Sequence, residues 1–157
     1  MSDLRGFTLH QPWASLIAVG AKRIETRSWA TSYRGWLAIH AGRRIPDSAL
    51  LDSEPFASAL GLNAHGVWLP LGSIVAVAHL ERIAPTGDAG TIPLLCQRRG
   101  WDWETERLFG DFTPGRFGWV LTDVQSLREP IPCRGAQGLW PVPDSVVAQI
   151  LAQGVRL

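Results

Sequence analysis

Lys22, Glu25 and Arg27 place an ammonium, a carboxylate and a guanidinium within the short stretch GAKRIETR, residues 20–27. Lys22 is the only lysine, and the other fourteen basic residues are arginine. A position that keeps lysine in so arginine-rich a chain asks for a compact ammonium with a tunable pKa rather than a planar fork. On a solvated face such a trio is a salt-bridge cluster that contributes little. Lining a cleft, the same charges interact strongly, and burial lowers the lysine pKa toward the range of an acid–base group.

Around the trio the first third of the chain is basic. Residues 1–44 carry seven basic residues against two acidic ones, while the remainder carries eight against twelve. The net charge is only +1, so the expectation is a local anion-binding face, with Arg34, Arg43 and Arg44 among its members, rather than a polycationic surface. His40 has no partner at metal-ligand spacing, and Cys96 and Cys133 make neither a disulfide framework nor a zinc site, so no metal and no cofactor are expected. There is no apolar run long enough to span a membrane and no apolar core of a signal peptide, which makes a cytoplasmic protein without a membrane partner the expectation.

The elements that must hold these residues follow from periodicity. Residues 5–10 alternate as a strand with Phe7 and Leu9 on one face. Pro12 opens a helix of about two turns, with Trp13, Leu16 and Ile17 at helical spacing and Gly20 as its left-handed stop. A period of two then puts Glu25, Arg27 and Trp29 on one side of a strand and Ile24 and Thr26 on the other, with Lys22 at its entry. Residues 36–41 form a strand with Leu37 and Ile39 inward and Trp36 and His40 opposite, and 46–60 a loose helical segment broken near Pro55. The apolar run 72–84 reads as a strand buried on both faces. Residues 86–113 read as an insertion, in which Trp101 and Trp103 serve chiefly to pack it down. Residues 116–127 form another strand, followed by an extended edge segment, EPIPCRG. The chain ends in an amphipathic helix capped by Asp144 or Ser145, with Val146, Val147, Ile150 and Leu151 as its stripe. At 157 residues the chain fits one domain of α+β class, a small closed or nearly closed sheet of five or six strands with flanking helices.

The segment His10-Gln11-Pro12-Trp13-Ala14-Ser15, then Gly20-x-Lys22-Arg23-x-Glu25-x-Arg27-Ser28-Trp29 and Arg34-Gly35, resembles the opening of an ASCH domain, a branch of the PUA-like superfamily. Looser agreement follows at Gly72, at Arg116-Phe117-Gly118-Trp119-Val120 and at Pro132-x-x-Gly135 leading to Leu139-Trp140. The resemblance implies a PUA-like β-barrel with a central cleft. Lys22, Glu25 and Arg27 would lie at its floor and the helix-start residues Gln11, Trp13 and Ser15 beside them. It also implies RNA or DNA as the ligand, in a superfamily that includes readers of modified or flipped-out bases.

Three functions remain open on the sequence. In the first, Lys22, Arg27, Arg34, Arg43 and Arg44 contact phosphate, Trp29 or Trp36 stacks a base, and Glu25 accepts from a base amino group. In the second, the domain is a small hydrolase of N4-acylated cytidine or of RNA, with Lys22 as base or nucleophile, Glu25 as its acid/base partner and Arg27 as oxyanion stabiliser. The hydrolytic branch of the resembled family carries a threonine where this chain has Glu25, and Glu81 and Asp111 are the candidates for a third acid. In the third, the stretch from Trp101 to Phe112 docks a protein partner whose identity the residues do not name.

Overall fold

A computed structural model describes residues 3–61, 69–88 and 90–157. Among these, six strands form one curled sheet: β1 (Arg5–Leu9), β2 (Ile24–Arg27), β3 (Gly35–Ala41), β4 (Ser73–Pro85), β5 (Phe117–Pro132) and β6 (Leu139–Pro141). They lie in the order β2-β5-β4-β3-β1-β6. β1 runs parallel to β3, and every other pairing is antiparallel. β1 and β2 therefore sit near opposite margins, and the chain crosses between them through helix α1 (Trp13–Ala18).

Helix α1 fills the concave side and touches β1, β3, β4 and β5, which one short helix does only if the sheet curls around it. Its two sides serve different cores. Ala14 and Ile17 pack with Phe7, Leu9, Leu37, Ile39 and Trp119 against the sheet. Leu16 turns outward to meet Phe56 and Phe109. Gly20 adopts φ +80° after the helix, a conformation that costs glycine little, and lets the chain turn directly into Lys22.

The long run 73–85 is sandwiched as its composition suggests. Val75, Ala76, Ala78 and Leu80 face the α1 side, while Ile74 and Val77 face a second core. That second core is closed by α6 (Asp144–Ala152) through Val146 and Ile150. Neither Asp144 nor Ser145 caps this helix: Pro143 holds the cap position, and no side chain bonds the first turn. Leu151, assigned to its apolar stripe, is exposed, because two buried positions suffice to cover so short a helix.

The broken helical segment resolves into α2 (Ser48–Leu51) and α3 (Phe56–Leu60) on either side of Pro55. Between β4 and β5 lie α4 (Thr91–Arg99), α5 (Trp103–Glu106) and a 3-10 turn, Arg107–Phe109. Trp101 and Trp103 pack this segment against the cluster containing Ile24, Ile92 and Val120. The guanidiniums of Arg23 and Arg99 lie over the Trp101 ring. The 116–127 strand and EPIP are one strand, β5, bent by register shifts against β4. The EPIP half is still an edge on its other side, since β2 pairs only Phe117–Val120.

Candidate functional site

The alternation of β2 sets the site. Ile24 faces the packed segment, while Glu25 and Arg27 share the opposite side, with Arg27 Nη2 3.8 Å from Glu25 Oε2. Arg27 is held in place rather than loose: Nη2 donates to the Thr8 carbonyl at 2.8 Å, and the guanidinium lies 4.6 Å from the centre of the Phe7 ring. Phe7 in turn stacks on Trp119 at 4.7 Å and 7°, and Trp29 meets Trp119 edge-on. Fixing a cation over an aromatic face contributes about 0.5–2 kcal/mol, and Arg27 still lines the space above the strand.

That space is a cleft of about 690 Å³, within the range of small-ligand sites. Its floor is Glu25, Thr26 and Arg27. One wall carries Trp13 and Phe56, another Trp29 and Ser28, and the far side is Phe109, Gly110, Asp111 and Arg116. Trp13 and Phe56 meet at 89°, and Phe56 meets Phe109 at 77°, so the aromatic rim is mutually braced. Thr8 and His10 complete the mouth. Two carboxylates and two guanidiniums share the lining, and Arg116 Nε lies 3.5 Å from Asp111 Oδ2.

Lys22 is beneath this floor, not on it. It is completely buried, and Nζ donates to the carbonyls of Ile24 at 2.7 Å and Phe109 at 2.9 Å. Glu25 Oε1, 3.8 Å from that ammonium, accepts from the Thr26 N–H at 2.8 Å. Burial lowers the Lys22 pKa from its ordinary value, and the nearby carboxylates of Glu25 and Glu106 oppose the shift. Glu106 is the acid that the sequence did not single out. Its Oε1 accepts from the backbone N–H of Arg23 and Ile24, and burial raises its pKa against the pull of Lys22. Glu81 is elsewhere, paired with Arg99 on the outer surface.

The other expected residues divide. Trp13 and Trp29 reach the cleft, as does Asp111. Gln11 and Ser15 do not: both are buried and bond each other, Gln11 Nε2 donating to Ser15 Oγ and to the Pro70 carbonyl. They brace the start of α1. Arg34 is committed to the carbonyls of Thr31 and Tyr33 at a separate surface, beside Trp36. Arg43 lines a neighbouring pocket, and Arg44 is exposed.

Thr26, assigned by alternation to the face away from Glu25, lines the cleft, as does Ser28. β2 is an edge strand that ends at Arg27, so the 109–111 turn folds over its margin, and Asp111 N–H donates to Thr26 Oγ1 at 3.0 Å. Arg116 was readable only as part of the Arg-Phe-Gly-Trp motif. Phe109 and Gly110 carry no local signal for a site.

Among the described residues no helix is long and apolar enough to cross a membrane. No group of three or more His, Cys, Asp or Glu among them could hold a metal ion.

Comparison with known proteins bears on the same region. The family model of the ASCH domain matches residues 7–106. Over 41 residues, 25% of this chain, the sequence is 51% identical to activating signal cointegrator 1 of Homo sapiens and, equally, of Mus musculus. The match spans only 7% of the length of those relatives. Among solved structures, ASCH from Zymomonas mobilis aligns over 95% of this chain and 94% of its own, with a TM-score of 0.54 at 18% identity. A serine-to-alanine variant of that protein gives 0.53 over the same coverage, at 18% identity. At such identity the likeness is one of fold.

Proposed function

Because the chain belongs to the ASCH domain family, whose model covers residues 7–106, we propose that it is a nucleic-acid-binding module that takes an unpaired base of RNA or DNA into this cleft. The observation that carries the reading is the opposed pair Glu25 and Arg27 on the floor of a cleft walled by Trp13 and Trp29. A nucleobase edge alternates donors and acceptors. Glu25 accepts from an exocyclic amino group, while Arg27 and Arg116 donate to a carbonyl or ring nitrogen. Stacking on an indole adds roughly 1–3 kcal/mol per base whatever its identity. A base held in a duplex presents neither its face nor its pairing edge, so the preferred ligand is single-stranded, looped or flipped out.

Titration of labelled single-stranded RNA, single-stranded DNA and duplex at rising salt tests this. Single strands bind more tightly than duplex, affinity falls with salt, and Arg27→Ala weakens binding. Absence of salt-sensitive binding at micromolar protein contradicts the proposal.

The hydrolytic reading asks more of the molecule. For Lys22 to act on a substrate its ammonium would have to release both carbonyls and emerge from complete burial. A docking role for Trp101, Trp103 and Phe112 would likewise need side chains that are packed against the body of the domain.

A further inference from the structure

Next to the cleft, and meeting it at Thr8, is a second pocket of about 510 Å³ lined by Thr8, His40, Gly42, Arg43, Cys133, Arg134 and Gly135. Its chemistry is unlike the first. The cleft mixes two carboxylates with two guanidiniums; this lining contains two guanidiniums and no carboxylate. Among the described residues neither Arg43 nor Arg134 is in an ion pair, whereas Arg27 and Arg116 of the cleft both are. The back of the pocket is also chemically closed. His40 Nε2 must donate to the Cys133 carbonyl, 2.8 Å away, because a carbonyl only accepts. Burial keeps the ring neutral by lowering its pKa, so Nδ1 accepts from the Thr8 hydroxyl at 3.2 Å, and that hydroxyl accepts from Trp140 Nε1 at 3.1 Å. His40 therefore has no ring nitrogen left for a ligand, and the charged groups on offer are the two arginines, beside the Cys133 thiol.

The two pockets adjoin at one residue. Thr8 belongs to both: its carbonyl anchors Arg27 and its hydroxyl anchors His40. Gly42 of the second pocket also lies against His10 at the mouth of the first; a Cβ there would be 3.6 Å from the His10 ring. Arg43 is laid along Gly72, with its Nε 3.2 Å from where a Cβ would be, so its head is aimed from a defined stem.

Resting on the base-binding reading of the cleft, we propose that the second pocket seats a backbone phosphate adjacent to the bound base, gripped between Arg43 and Arg134. The ligand is then a base within a phosphodiester strand rather than a free nucleoside. A strand crossing Thr8 meets mixed polarity where its base lies and unopposed positive charge where its backbone lies.

The test compares the wild type with the double variant Arg43→Gln/Arg134→Gln and, separately, with Glu25→Gln, using a labelled single-stranded pentanucleotide and the same sequence with an uncharged methylphosphonate backbone. Circular dichroism confirms that each variant is folded. The double variant is expected to bind the charged strand more weakly, with a salt slope shallower by about 0.7, the loss of one phosphate contact. It should match the wild type on the uncharged strand. An unchanged slope, or an equal loss on both strands, overturns the phosphate assignment. If Glu25→Gln leaves affinity untouched while the double variant shows the shallower slope, the phosphate pocket stands and the cleft reading falls. A wild type that binds neither strand overturns both.

Discussion

Lys22 illustrates how one side chain sets the site without touching a ligand. Its ammonium ties the start of β2, through the Ile24 carbonyl, to the Phe109 carbonyl on the opposite wall of the cleft. It also sits between two carboxylates, Glu25 and Glu106, each spending an oxygen on backbone N–H groups of β2 and its approach. A compact ammonium on a flexible stem meets these acceptors from different directions, which a planar guanidinium does not. Lys22→Met therefore strands both carbonyls and removes the buried cation facing Glu106, leaving Glu25 with Arg27 alone, costing about 3–5 kcal/mol. Lys22→Arg retains the charge but overfills a closed space, costing about 1–3 kcal/mol. Urea unfolding of the two variants reads both numbers. A midpoint unchanged in Lys22→Met would mean that the buried ammonium is not what joins the cleft walls.

Among the elements, β1 has the most demanding position, because it pairs with β3 and β6 and its Thr8 lines both pockets. Gly6 shows how tight that position is: a Cβ there would lie 2.2 Å from the Trp140 ring. Gly6→Ala is expected to displace Trp140, break its bond to Thr8 and destabilise the fold by at least about 1–3 kcal/mol, measurable as a lowered Tm. The Trp140–Thr8–His40–Cys133 chain also makes stability pH-dependent. His40 titrates below its ordinary value in the folded state, with burial as the main cause. At this ring, folded and unfolded states then bind protons equally well above about pH 6.5, and as pH falls below it the unfolded state binds more. Stability contributed by a neutral His40 is thus full above about pH 6.5 and lost progressively below it. His40→Gln, which does not titrate, should lack this part of the acid-side decline in denaturant unfolding; an identical decline in both proteins would contradict the assignment.

For the molecule as a whole, what the residues disclosed in advance was what local periodicity encodes. Alternation along 24–29 correctly joined Glu25 to Arg27, and the doubly apolar run 72–84 correctly read as an interior strand, observed at Ser73–Pro85. The misplacements arose where tertiary contact decides. Nothing near Lys22 indicates that Phe109, eighty-seven residues on, supplies its acceptor. Nor does anything near Gln11 and Ser15 reveal that they satisfy each other in the interior. Thr26 was misassigned because alternation describes the two faces of a strand and says nothing of its free margin. The cleft is the product of these long-range closures, and a ligand that uses it must touch residues far apart in sequence.

The most direct test is a two-dimensional NMR titration of the isotopically labelled protein with a single-stranded oligonucleotide. The account predicts that the indole N–H signals of Trp13 and Trp29, the side-chain N–H signals of Arg27 and Arg116 and the backbone amides of residues 109–111 shift together, with one affinity. Shifts confined to other surfaces, with these signals unmoved at saturation, would contradict it.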